Sequence, residues 1–197
     1  MLHPDTRLQW INSYIGYGVF ATAFIPKGTI VYVQDALDIV IPPDSPLLDD
    51  ARTREWITKY ATIEPDGKRL LCWDIAKYVN HCCHYNALST AYGFELAVRD
   101  IQAGEEMTDD YGLFNMEQEM KLGCHYQDCR QVLRAGDFDL YSQEWDAVIK
   151  RTLPELLNVP QPLLNLLDTQ MYAELMNYLK TGQGYKSVQT LKYVSRE

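Results

Sequence analysis

Apolar and polar positions divide the chain into two stretches of different rhythm. From Leu8 to about Leu133, short apolar runs are separated by clusters of Gly, Pro and Asp. Ile30-Val31-Tyr32-Val33 is β-branched and aromatic and follows the turn signal Pro26-Lys27-Gly28, which predicts a strand. Asp38-Ile39-Val40-Ile41 predicts a second, closed by Pro42-Pro43. Phe94-Glu95-Leu96-Ala97-Val98-Arg99 alternates as a half-buried strand does and stops before Gln102-Ala103-Gly104. Many short strands with frequent turns predict a β-rich α+β domain rather than a parallel α/β sheet. Beyond about Asp139 the period becomes helical. Trp145, Val148, Ile149, Leu153 and Leu156-Leu157 recur at i, i+3, i+4 spacing until Pro160 and Pro162 break the run. Leu163, Leu166, Leu167, Met171, Leu175, Met176 and Leu179 form a second stripe, which Thr181-Gly182 ends. The expected organisation is a domain over residues 8–133 and a C-terminal helical extension over 134–197.

The 197 residues carry 18 Lys+Arg against 27 Asp+Glu, a formal net charge of −9. This balance argues against direct nucleic-acid binding, which rests on neutralising phosphates, and is compatible with a basic protein substrate. Hydrophobic residues at 47% and charged residues at 23% exclude a disordered chain. The apolar runs fall short of the roughly 20 residues that span a bilayer, so no membrane association is expected. Met1-Leu2-His3-Pro4-Asp5 shows no basic or apolar leader, and the protein reads as soluble and intracellular, cytoplasmic or nuclear. Cys72, Cys82, Cys83, Cys124 and Cys129 are odd in number and irregularly spaced, which suits reduced thiols or metal ligands better than a disulfide framework.

Four segments could carry chemistry. Gly16-Tyr17-Gly18-Val19-Phe20-Ala21 matches a dinucleotide-binding pattern, but a turn and a strand follow it, so no helix N-terminus is available for a pyrophosphate. Two glycines then mean either a tight turn or a backbone that a ligand approaches closely. Lys77-Tyr78-Val79-Asn80-His81-Cys82-Cys83-His84-Tyr85-Asn86 is dense in His, Cys and Asn. Arg99 to Gly112 reads as strand, turn and an acidic stretch, in which Glu105, Glu106 and Asp109 form either a solvated face or an attractor for a basic segment. Cys124 and Cys129 form a C-x4-C pair, weak by itself as a zinc signal.

In this order the segments resemble those of the SET-domain protein lysine methyltransferases, and the resemblance spans roughly Leu8 to Leu133. Gly16–Ala21 with Ile25-Pro26-Lys27-Gly28-Thr29-Ile30-Val31 matches the opening motif, Tyr78–Asn86 the Asn-His motif, and Arg99–Tyr111 the closing motif. The resemblance implies a SET-type β-clip in which the Asn-His and Asp-Tyr segments tuck together as a pseudoknot. It implies S-adenosylmethionine as cofactor, held by Gly16, Tyr17, Gly18, Asn80, His81 and Tyr111. Tyr111 would be the catalytic tyrosine, and Asp109 and Tyr78 would border the substrate channel. The implied partner is a protein with a basic, lysine-containing segment, a histone being one possibility.

This chain departs from the family pattern at Cys82 and Tyr85, where Ser and Pro are usual, and at Asp109, where an aromatic is usual; the last bears on how many methyl groups are added. A post-SET zinc site would use Cys83, Cys124 and Cys129, but Leu122 replaces the first cysteine of the C-x-C-x4-C segment, and three ligands without a fourth make a poor structural zinc site. His125 is the nearest alternative donor. A SET-like module without turnover and a metal-stabilised interaction protein are the competing readings.

Overall fold

The computed structural model describes residues 1–124 and 126–194. Among these residues, twelve short strands and three α-helices follow one another in chain order. They are β1 (Thr6–Asn12), β2 (Gly16–Ala21), β3 (Ile30–Val33), β4 (Ile39–Ile41), α1 (Ala51–Tyr60), β5 (Ala61–Ile63) and β6 (Arg69–Leu71). Then come β7 (Asn80–His81), β8 (Ala87–Ser89), β9 (Phe94–Ala97), β10 (Glu106–Asp109), β11 (Met120–Lys121), β12 (Val132–Leu133), α2 (Asp137–Thr152) and α3 (Thr169–Thr181). The sheets run β1-β2-β10-β7, β3-β9-β8, β4-β6-β5 and β11-β12, an α+β arrangement of small sheets.

Ile30–Val33, Ile39–Ile41 and Phe94–Ala97 form the strands their composition predicts. Helix α1 lacks the apolar stripe that would announce it, because Ile57 is its one buried residue; Asp50 caps it by accepting from Thr53 N at 2.8 Å. The second C-terminal helix starts later than its stripe suggests. Asp168 caps Gln170 N and Met171 N, so Leu163 and Leu167 reach the core from a 3-10 turn before it. Gly182 ends α3 in the left-handed conformation at φ +71°.

The sheet β3-β9-β8 separates two cores. Ile30, Leu96 and Leu88 lie in register and pack with Trp145, Ile149, Leu153 and Leu175 of the helical arm. The extension therefore shares its core with the strands, and the change of rhythm near residue 133 marks a change of architecture within one hydrophobic unit. Gln161 fastens the arm to β3, donating to Gly28 O at 2.7 Å and accepting from Ile30 N at 2.8 Å as a neighbouring strand would. Buried Asp146 anchors the tail by accepting from Tyr185 Oη, Ser187 Oγ and Val188 N. Register shifts between Ile30 and Tyr32, which turns Tyr32 away from the arm and sets it beside Glu95 and Ser89 on the other face.

Candidate active site

The Asn-His and Asp-Tyr segments meet. Strand β7 runs parallel to β10, with Asn80 opposite Thr108 and His81 opposite Asp109, while β2 pairs with the other edge of β10. Asn86, fully buried, stitches this crossing: its Oδ1 accepts from Thr108 N at 2.8 Å and its Nδ2 donates to Glu106 O at 2.8 Å. A buried amide satisfied on both ends fixes register.

Tyr111 follows directly. Its hydroxyl donates to Val79 O at 2.6 Å, and its backbone N–H donates to His81 Nδ1 at 3.2 Å. Burial pushes the phenol pKa up, reinforced by Asp109 and Glu95. Burial also pulls His81 down to about 4, so the ring is neutral. Since Nδ1 accepts, the proton sits on Nε2, which faces Cys83 Sγ at 3.5 Å. Asp110 organises the turn: Oδ1 accepts from Gly112 N at 3.0 Å and pairs with Arg130, and Oδ2 accepts from Trp145 Nε1 at 3.0 Å.

Tyr111 lines a cavity of about 260 Å³ together with Val79, Glu95, Cys72, Phe114 and Ile63. Its rim runs between edge strand β5 and the segment around Asn115–Gln118, and Arg69 and Glu117 pair across it at 3.0 Å. A smaller cavity of about 120 Å³ lies alongside and shares Glu95, Cys72 and Phe114. Neither Asp109 nor Tyr78 borders the larger cavity. Asp109 is wholly buried behind it, where Ser89 Oγ donates to its Oδ2 at 3.3 Å. The Tyr78 ring packs edge-on between Tyr17 and Tyr60, 5.9 and 5.5 Å away, in a row that runs from Trp10 to Trp56. The acidic stretch is no solvated run either: Glu105 pairs with Arg99, Glu106 accepts from Asn80, and Asp109 is interior. Glu95 was legible only as one charge inside an apolar strand, a signal that says nothing about which face it takes.

Gly16, Tyr17, Gly18, Asn80 and His81 come together beside β10. Asn80 Nδ2 donates to Tyr17 O at 3.0 Å and to Glu106 Oε1 at 2.8 Å; among the described residues nothing donates to its Oδ1. Gly16 holds φ +89° and has open space where a Cβ would stand. Gly18 is fixed by packing, since a Cβ would lie 2.5 Å from Glu106 Oε1 and 2.7 Å from Ile11 Cδ1. An open glycine backbone next to a free amide acceptor suits the ammonium of an amino-acid cofactor such as S-adenosylmethionine.

The sulfur atoms of Cys83, Cys124 and Cys129 lie within 4.8 Å of one another, and those of Cys83 and Cys129 are 3.6 Å apart. Among the described residues no fourth Cys, His, Asp or Glu joins them, and His125 lies outside those residues. The set fits three of the four positions of a structural zinc ion.

No helix is long and apolar enough to cross a membrane among the described residues. No curated protein matches the chain. Among solved structures, the methyltransferase domain of human histone-lysine N-methyltransferase SETMAR superposes with TM-score 0.44 at 19% identity, covering 68% of this chain and 58% of that one. Plasmodium falciparum PFL0690c superposes with TM-score 0.41 at 18% identity, covering 56% of this chain and 95% of that one. The chain thus spans little more than half the length of the human domain. The SET domain model matches residues 16–112, the stretch that holds the glycine turn, the crossed strands and Tyr111, and that stretch is what the chain shares with the SET domain.

Proposed function

We propose that the protein transfers a methyl group from S-adenosylmethionine to a lysine side chain of a protein substrate. The observation that carries this reading is the 2.6 Å contact between Tyr111 Oη and Val79 O at the wall of a cavity. Gly16, Tyr17, Asn80 and His81 would hold the cofactor, which when bound supplies an electrophilic sulfonium methyl.

The chain's own contribution is alignment. With its proton committed to Val79 O, the Tyr111 hydroxyl turns its lone pairs toward the cavity, where they accept from an amine. Holding an amine at near-attack distance is worth about 7–11 kcal/mol. Phe114, Ile63 and Val79 exclude water around it. Glu64 at the edge of the neighbouring cavity suits a basic substrate segment.

Radiolabelled methyl transfer to histones and to a lysate, with Tyr111→Phe alongside, tests the reading. Incorporation by wild type that the variant lacks supports it. Wild type and variant equally silent, with the cofactor tightly bound, favours the SET-like module without turnover.

A further inference from the structure

Glu95 stands mid-strand in β9 between buried Phe94 and Leu96, a costly place for a carboxylate. Register sets Tyr32 on one side of it and Ser89 on the other, and all three side chains reach the smaller cavity. Glu95 also belongs to the wall that carries Tyr111. Behind it, Ser89 Oγ reaches Asp109 Oδ2. A charge on Glu95 opposes ionisation of Asp109. The Asp109 carboxyl is driven well above the usual carboxylate range by burial and by Glu95. Glu95 is pushed up to about 7, mainly by burial.

The groups facing Glu95 come from every neighbouring element: Asp109 and Tyr111, Ser89, Tyr32, Cys72, Asp74 and the amino group of Met1. Among the described residues that amino group is the one cation acting on Glu95, and it is already paired with Asp35 at 2.8 Å. Tyr32 donates to Asp38 at 2.5 Å and is occupied as well. The wall beside Tyr111 therefore presents a carboxylate without a dedicated cation.

We propose that Glu95 is a catalytic residue that receives an ammonium group entering past Tyr111 and removes one of its protons. For the identity of that ammonium as a lysine, the proposal rests on the methyl-transfer reading. One N–H bond breaks and leaves its electron pair on nitrogen; one O–H bond forms at Glu95. In water the proton would stay with an amine of pKa about 10.4. Against the apolar wall of the cavity the neutral pair is favoured relative to water, because both charges vanish together and neither needs solvating.

Carbon-13 NMR of the Glu95 carboxyl in the wild-type protein, assigned through its own side-chain couplings, tests this with n-butylamine as the probe. At pH 8, amine binding is expected to move the resonance from the carboxylate toward the carboxylic-acid position, while n-pentanol leaves it in place. A resonance that ignores the amine, or stays at the carboxylate position with amine bound, overturns the proposal. In the transfer assay, Glu95→Gln is expected to lower kcat about 10²-fold and to remove the rise of rate with pH near 7. Equal kcat for wild type and Glu95→Gln across pH 6–9 sinks the role of Glu95 and leaves methyl transfer standing. A resonance moved by butylamine in a protein that methylates no lysine does the reverse.

Discussion

Trp145 of helix α2 donates its indole N–H to Asp110 Oδ2 at 3.0 Å, one residue before Tyr111. The same ring fills the space beside Gly112, where a Cβ would come within 2.9 Å of it. Arg130 reaches Asp110 from the other side and lies over the Tyr141 ring at 4.6 Å. The helical arm thereby holds the turn on which Tyr111 sits. Trp145→Phe keeps most of the bulk and removes the donor, leaving a buried carboxylate oxygen short of a partner. Thermal unfolding should show a loss of about 1–3 kcal/mol, and the transfer assay a fall in kcat with KM little changed.

Removing the arm should do far more. Without residues 134–197, Ile30, Leu88 and Leu96 lose the helices that cover them. A chain ending at Leu133 is expected to be insoluble or to lack a cooperative melt; a sharp transition in that fragment would contradict the shared core.

Tyr111→Phe deletes the hydroxyl that reaches Val79 O. Stability should change by only about 1 kcal/mol, while transfer falls on the order of 10²-fold or more. Comparing melting and activity on one preparation separates the two effects.

Gly28 holds φ +92°, and a Cβ there would lie 2.6 Å from Glu155 Cβ and 2.8 Å from the Glu155 carbonyl carbon. Gly28→Ala combines left-handed strain with backbone collision against the arm, and denaturant unfolding should register a loss on the order of 2–4 kcal/mol.

The buried Glu95 carboxyl gives stability a pH dependence. Its folded value of about 7 exceeds the ordinary 4.5, so the folded state binds the proton more tightly than the unfolded chain. That contribution is complete below about pH 4.5 and is lost as pH rises through 7. Glu95→Gln should therefore melt higher relative to wild type at pH 8 than at pH 5; a constant difference would show that Glu95 is not enclosed as described.

Three thiols hold zinc less firmly than four. The purified protein is expected to carry well under one zinc per chain, and a chelator should leave its melting temperature unmoved.

The residues themselves determined the strands at Ile30–Val33, Ile39–Ile41 and Phe94–Ala97, the helical rhythm of the arm, and the motif order that marks the family. These are local properties: β-branched runs, 3.6-residue periodicity and turn chemistry act within a few positions. Tertiary structure alone decided what the polar residues do. Asp109 stands in the channel motif yet is hidden behind Ser89, and Tyr78 packs among aromatic rings rather than along the cavity. Glu95 took the cavity wall because a register shift in β3 and the pairing of β8 with β9 set one face toward Tyr111. A strand's side chains change faces with a single step of register, and that step is set by partners distant in the chain.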